Sequence, residues 1–315
     1  MSLAAVRRGL PLVLALGLDI ALGEPPAAIH PVVWMGRVAA AAERHAPRSA
    51  HGRLVYGACG AGSIVGASIL AGRLVERMVG RLHPLPRLLA LSWLLKSTVA
   101  LRSLAAAADA VRARLQQHDL AAARAALRSL VGRDVATLGP PLLAAAAVES
   151  VAENASDALV APALFYMLGG LPAALGYRAI NTLDAMWGYH GTYEHLGKMA
   201  AHADDLVNLL PARLTGLLLA GASLLNGDDA AGAWRTMWRD HGRTASPNAG
   251  WPMSAMAGAL GVELEKVGHY RLGAPAALPT PTTIRRSVRL VYVVVALLVG
   301  ACVLGEVGHH AMHRR

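Results

Sequence analysis

The chain has 315 residues, 55% of them hydrophobic and only 16% charged, with a formal net charge of +10. Soluble domains carry roughly 25% charged residues, so the composition excludes an ordinary soluble domain and points to an integral membrane protein. The positive charge suits an anionic lipid surface or phosphorylated and carboxylated ligands; nucleic acid is not an expected partner, because the basic residues are dispersed and no zinc, RRM-like or basic-arm signature is present.

Ala and Leu dominate over β-branched residues, which favours helix. The expected fold class is all-α: a polytopic membrane helix bundle, one membrane-embedded domain over 1–315, with amphipathic helices outside the bilayer. Residues 3–22 begin with Arg7-Arg8 and run apolar to Leu22 around one acid, Asp19. They read as a retained first membrane helix, a cleaved signal peptide being the alternative. His30-Pro31 follows at the membrane boundary, where the imidazole can touch a ligand. Residues 54–72 are a Gly/Ala-rich run close to the ~20 residues needed to span, closed by Arg73, Glu76, Arg77 and Arg81. Residues 85–101 are apolar around Lys96, which either snorkels or binds an anion.

Between 102 and 133, Arg and Asp interleave with Ala and Leu at helical spacing. This predicts two amphipathic helices broken near Gln117-His118-Asp119, in an extramembrane segment of about 102–140. Gly139-Pro140-Pro141 then introduces a helix that no proline interrupts before 162. On it Glu149, Glu153 and Asp157 recur at every fourth residue, which places three carboxylates on one stripe. Stacked like charges beside apolar sequence need a cation, either a metal ion or an Arg/Lys cluster. A solvated helix face is the rival reading.

A second polar group follows the Gly169-Gly170-Leu171-Pro172 break: Arg178, Asn181 and Asp184, on about two turns. The third is Asp204, Asp205 and Asn208, with Pro211 and Arg213 just beyond; residues 206–225 are long enough to cross a bilayer, although Pro211 and Arg213 interrupt them. Broken helices with polar faces are where membrane proteins place ligands. Residues 226–287 are a polar segment containing the loop Ser246-Pro247-Asn248-Ala249-Gly250-Trp251-Pro252. There Asn248 or Gly250 can take a left-handed conformation and offer N–H groups to an anion; an ordinary turn is the alternative. A linker at 274–283 leads to a last apolar helix, 290–304. Arginines at 7–8, 73–87 and 285–289 place those ends toward the cytoplasm, and four or five crossings are expected. Cys59 and Cys302 imply no disulfide framework.

Carboxylates from separate helices, with Asn154, Asn181 and Asn208 beside them, are oxygen donors for a hard ion such as Mg2+ shared with phosphate oxygens. The candidates are Glu149, Glu153, Asp157, Asp184, Asp204 and Asp205, expected to converge around one divalent cation. Arg178, Arg213 and Lys96 are placed to hold phosphate. The residues thus suggest phosphoryl transfer or a phosphate-assisted condensation.

Taken together, the segments resemble the adenosylcobinamide-phosphate synthase family of cobalamin biosynthesis over about residues 10–273. The resemblance rests on Gly-Glu-Pro-Pro with His30-Pro31 and Met35-Gly36-Arg37; Val131-Gly132-Arg133-Asp134; Glu149-Ser-Val-Ala-Glu153-Asn154-Ala-Ser-Asp157; Asn181-Thr-Leu-Asp184-Ala-Met-Trp-Gly188-Tyr189; Asp204-Asp205-Leu-Val-Asn208 with Pro211-Ala-Arg213; and Ser246-Pro-Asn-Ala-Gly-Trp-Pro252. Glu24 stands where the family pattern has Asp, and His202 where it has Arg. The resemblance implies ATP-dependent amide ligation of aminopropanol, or its O-phosphate, to a propionate carboxylate of a cobyric acid-type corrinoid. It also implies Mg2+ and ATP as cofactors and a multi-pass place in the cell (inner) membrane. A homo-oligomer or other membrane enzymes of the pathway are the protein partners it brings to mind. Glu153, Asp157, Asp184 and Asp205 are then the base or metal candidates, while His30, Asn181, Ser246 and Asn248 shape the substrate mouth. Two other classes fit the acids: a transporter with an ion-coupling path, and a Mg-dependent membrane prenyl- or phosphotransferase.

Overall fold

Helix formers give thirteen α-helices among the residues the structure, a computed structural model, describes: 3–188, 191 and 193–312. They are α1 (Leu3–Leu22), α2 (Pro31–Arg44), α3 (Ala50–Val79), α4 (Pro84–Lys96), α5 (Leu101–Gln116), α6 (Leu120–Leu127), α7 (Pro140–Ala155), α8 (Ala161–Trp187), α9 (Lys198–Val207), α10 (Leu209–Asn226), α11 (Ala230–Asp240), α12 (Gly250–Leu260) and α13 (Pro281–Met312). Tyr189 and His190, which belong to the motif around Asp184, lie outside the described residues, as does the end of the His-rich tail. The all-α expectation holds, with one small exception: β1 (Leu264–Lys266) pairs antiparallel with β2 (Tyr270–Leu272). Five stretches are long and apolar enough to cross a membrane: Ala50–Val79, Pro84–Gln116, Pro140–Trp187, Leu209–Asn226 and Pro281–Gly305. The chain is a multi-pass membrane protein.

The described chain divides into two compact units, each assembled from segments remote in sequence. The first comprises residues 1–100, 161–208 and 301–315, and so contains α1–α4, α8 and α9. Small residues let its helices approach. A Cβ on Gly72 of α3 would lie 2.7 Å from the Pro172 Cα of α8, and one on Gly57 would lie 2.0 Å from the Leu196 carbonyl oxygen. Helix α8 is kinked where the sequence places Gly169-Gly170-Leu171-Pro172: Gly170 has φ 74°, and Pro172 lies inside the helix. Proline cannot donate to the carbonyl one turn back. Arg8 donates to the neighbouring Met167 carbonyl at 3.1 Å.

The second unit comprises residues 101–160 and 209–300. Helix α5 stops at Gln116 and α6 begins at Leu120, as the charge spacing implies; Asp119 caps α6 by accepting from the Ala122 N–H. The segment 226–287, polar by composition, holds α11, α12 and the hairpin. Every residue of α12 is buried. Helix α11 lies directly on it at a glycine crossing, where a Cβ on Gly258 would lie 2.2 Å from the Gly232 carbonyl oxygen. Asp240, fully buried at the end of α11, binds Arg239 at 2.8 Å, Arg243 at 3.2 Å and the Gly273 N–H at 2.8 Å, tying the helix to the strand end. Burial pushes its carboxyl up, but the bonds from Arg239 and Gly273 outweigh that and hold it below the usual carboxylate range.

Candidate active site

In the first unit, α8 and α9 supply a continuous polar network. After the kink, α8 presents Tyr177, Arg178, Asn181 and Asp184 on successive turns, and α9 brings Asp204, Asp205 and Asn208 alongside. The Tyr177 hydroxyl, on a side chain 2% exposed, donates to Asn208 Oδ1 at 3.0 Å. Asn208 Nδ2 donates to Asp204 Oδ2 at 2.8 Å, and Asn181 Nδ2 to Asp204 Oδ1 at 3.4 Å. Arg178 donates to Asn181 Oδ1 at 3.1 Å. The two asparagines therefore relay between a guanidinium, a phenol and one carboxylate. Burial, joined by the negative Asp205 next door, raises the Asp204 carboxyl above its ordinary range against the pull of Asn208, Asn181 and Arg178. A carboxyl raised in this way takes up a proton more readily than an ordinary one, as a proton acceptor must.

His30 and Lys96 belong to the same neighbourhood. His30 is the N-cap of α2: its Nδ1 accepts from the Val32 N–H at 3.2 Å, and Pro31 occupies the first helical position. Its Nε2 faces Glu24 at 3.6 Å, so the proton sits on Nε2. Burial lowers its pKa, Glu24 opposes this, and the charges of Arg178 and Lys96 lower it further; the ring is neutral at pH 7. Lys96 is 1% exposed with its Nζ 4.4 Å from the Trp93 ring centroid, so it does not snorkel outward. Arg178 thus faces both Asp204 and His30, and Lys96 joins it beside His30. The start of α9 also lines a cavity of about 120 Å³ with Trp187, Lys198 and His202 on its wall.

Asp184 is half-buried on the same stretch of α8, and its main-chain oxygen accepts from the Gly188 N–H at 2.7 Å. Among the described residues, no three His, Cys, Asp or Glu side chains gather closely enough to hold a metal on their own. The Asn181 and Asn208 amides turn N–H groups, not oxygens, toward Asp204, so the donor set left for Mg2+ is the neighbouring Asp205 carboxylate, which fits the ion's usual setting of one or two carboxylates plus substrate phosphate.

The remaining expected residues lie in the second unit. Glu149 is buried and held by Arg133 Nη2 at 2.9 Å, so a guanidinium stands where the carboxylate stripe called for a cation. Glu153 is exposed and Asp157 half-buried. The helix does not run as one unbroken α-helix: Ser156–Val160 form a π turn, so Asp157 lies beyond the α-helical register that carries Glu149 and Glu153. Arg213 lies 4.8 Å over the Trp251 ring and donates to the Leu209 carbonyl at 2.7 Å. His241 stacks on the same tryptophan at 3.9 Å. The Ser246 loop is the ordinary turn. Ser246 Oγ accepts from the Asn248 and Ala249 N–H groups at 3.2 and 3.4 Å, and neither Asn248 nor Gly250 has a positive φ. Those two N–H groups are already satisfied, and the left-handed anion nest is not formed.

Tyr270 is a member that the sequence did not mark. Burial, then the nearby Glu149 carboxylate, pushes its phenol well above the ordinary range. Tyr177 was within reach of sequence reasoning, one residue before Arg178 on a polar turn; nothing in the sequence brings Tyr270 to Glu149.

The family model described as "CobD/Cbib protein" matches residues 12–291. The "Cobalamin biosynthesis protein CobD" of Dehalococcoides mccartyi is 43% identical over 279 residues, 88% of this chain and 91% of that protein. The protein of the same name from Klebsiella pneumoniae is 40% identical over 257 residues, 80% of this chain and 81% of its own. The "Cobalamin biosynthesis protein CbiB" of Salmonella typhimurium is 36% identical over 309 residues, 92% and 95% of the two chains. No solved structure matches. Similarity of this extent, over nearly the full length of the relatives, means that the chain belongs to the CobD/CbiB family and has a role in cobalamin biosynthesis.

Proposed function

We propose that the protein is an acid–amine ligase of the cell's inner membrane, joining aminopropanol or its O-phosphate to a propionate carboxylate of adenosylcobyric acid. The observation that carries this reading is the α8–α9 network, in which a carboxyl with a raised pKa sits beside Arg178, with Lys96 and Arg178 both near His30. A carboxylate is a poor electrophile and an ammonium is no nucleophile, so the reaction needs both activation and a proton acceptor. Bound Mg2+ and ATP would supply the activation, converting the propionate oxygen into a phosphorylated leaving group. Asp205 would hold the ion. Arg178 and Lys96 would bind the phosphate oxygens and offset their charge. Asp204 or Asp184 would accept the proton that the amine loses as the amide forms. His30 serves by position: as a neutral cap it fixes the start of α2 without adding a third positive charge. The cavity of about 120 Å³ at the start of α9 suits the small amine substrate, not the corrinoid.

The test is product analysis. Membranes containing the protein are supplied with cobyric acid, aminopropanol phosphate and Mg-ATP, and cobinamide phosphate is sought by mass spectrometry. Asp184→Asn should abolish product while leaving membrane insertion intact. Corrinoid or amine uptake without ATP-dependent product would overturn the ligase reading.

A further inference from the structure

The first unit has a feature that the proposed chemistry does not use. The short turn between α3 and α4, Gly80–His83, is flanked by Arg73, Arg77, Arg81 and Arg87, all exposed. None of these four guanidinia enters a salt bridge or a side-chain hydrogen bond among the described residues. Exposed apolar side chains alternate with them: Leu74 at 49%, Met78 at 68%, Leu85 at 62% and Leu89 at 54%. The start of α1 belongs to the same end of the unit, because the Tyr166 hydroxyl lies within electrostatic reach of Arg8, Arg87 and Glu76 together. Glu76, half-buried, is turned toward the kink in α8, where a Cβ on Gly170 would meet its carboxylate at 2.5 Å. The acid therefore does not neutralise the exposed arginines.

One span ends at Val79 and the next begins at Pro84, so this turn lies where a membrane meets water. Unpaired guanidinia there, with large apolar side chains between them, match a partner that is anionic at one end and hydrocarbon at the other. A soluble phosphate would satisfy the arginines and leave the leucines in water. We propose that this basic collar binds the headgroups of anionic phospholipids, whose acyl chains cover Leu74, Met78, Leu85 and Leu89. The planar guanidinium takes a phosphate through two parallel hydrogen bonds, and juxtamembrane basic residues are drawn to anionic leaflets.

The experiment uses the full chain purified in mild detergent, offered phosphatidylglycerol and phosphatidylcholine in equal amounts, with retained lipid counted by native mass spectrometry. Phosphatidylglycerol should be retained preferentially. At roughly fivefold per charge, R77Q/R81Q/R87Q should lower that retention by about a hundredfold. R77K/R81K/R87K, which keeps the charge, should keep most of it. Millimolar inorganic phosphate should displace little. If the triple Gln variant fails to fold, judged by helicity and thermal transition, R77Q and R81Q alone should each show the single-charge drop. Equal retention of the two lipids, or full retention by the Gln variants, would overturn the proposal. Displacement by inorganic phosphate would overturn it too, by assigning the collar to a soluble anion.

Discussion

Asp204 carries a carboxyl that burial raises while two asparagine amides stabilise its anion. If its ionised form accepts the substrate proton, the acidic limb of the turnover profile lies above the ordinary carboxylate range. Asn208→Ala and Asn181→Ala remove donors to the anion, so each should move that limb to higher pH. Asp204→Asn should cost ~10²-fold or more in turnover, the usual worth of a general base. Initial rates between pH 5 and 9 check all three. His30 gives the opposite sign. Its folded pKa is lowered, so its contribution to stability is full above the unfolded value near 6.5 and is lost as pH falls through the folded value. His30→Ala should cost about 1 kcal/mol, the usual worth of a side-chain cap. That loss, read from thermal unfolding, should be clear at pH 8 and shrink in acid, where the wild-type ring is protonated and no longer accepts from Val32. These residues were legible as polar groups in apolar helices. Their partners were legible only within a turn or two of the chain. Arg133 and Glu149 are 16 residues apart with a helix start between them, and only the folded chain brings them together.

Helices are the part that the sequence announces best, since apolar runs, Gly-Pro breaks and charge spacing are local signals. The kink in α8 and the α5–α6 break fall where those signals stand. The π turn after Ala155 has no such signal: no proline or glycine marks it, and it ends the α-helical register before Asp157. Helix α12 was hidden because it is only 11 residues long and lies between polar stretches, while its burial comes from α7, α10 and α11 around it. Close crossings are partly legible, since a span rich in glycine implies near backbones but not which neighbour. At Gly72 the neighbour is the Pro172 backbone, and neither helix can yield by turning a side chain. Gly72→Ala should therefore destabilise by about 1–3 kcal/mol through forced helix separation. Gly62→Ala, whose Cβ would meet nothing within 4 Å, should be neutral. A comparison of thermal unfolding in the same detergent distinguishes them.

At the scale of the whole molecule, composition alone established a membrane bundle, but not its division. Each unit draws on separated segments, and the second needs both 101–160 and 209–300. A chain stopped at residue 249 should keep the first unit's helices up to Val207 but lack α12, the buried helix of the second. Limited proteolysis should then cut α5–α7, α10 and α11 readily while sparing α3 and α8. Equal resistance along the fragment would contradict this.

The interleaving also fixes an order of events during synthesis. Residues 101–160 leave the ribosome before the first unit has received α8 and α9, and they must wait for α12 before their own core can close. For some 90 residues of translation the cell holds a segment whose apolar surface has no home, and the same weave means that no single cut in the gene can deliver the two halves as independent proteins.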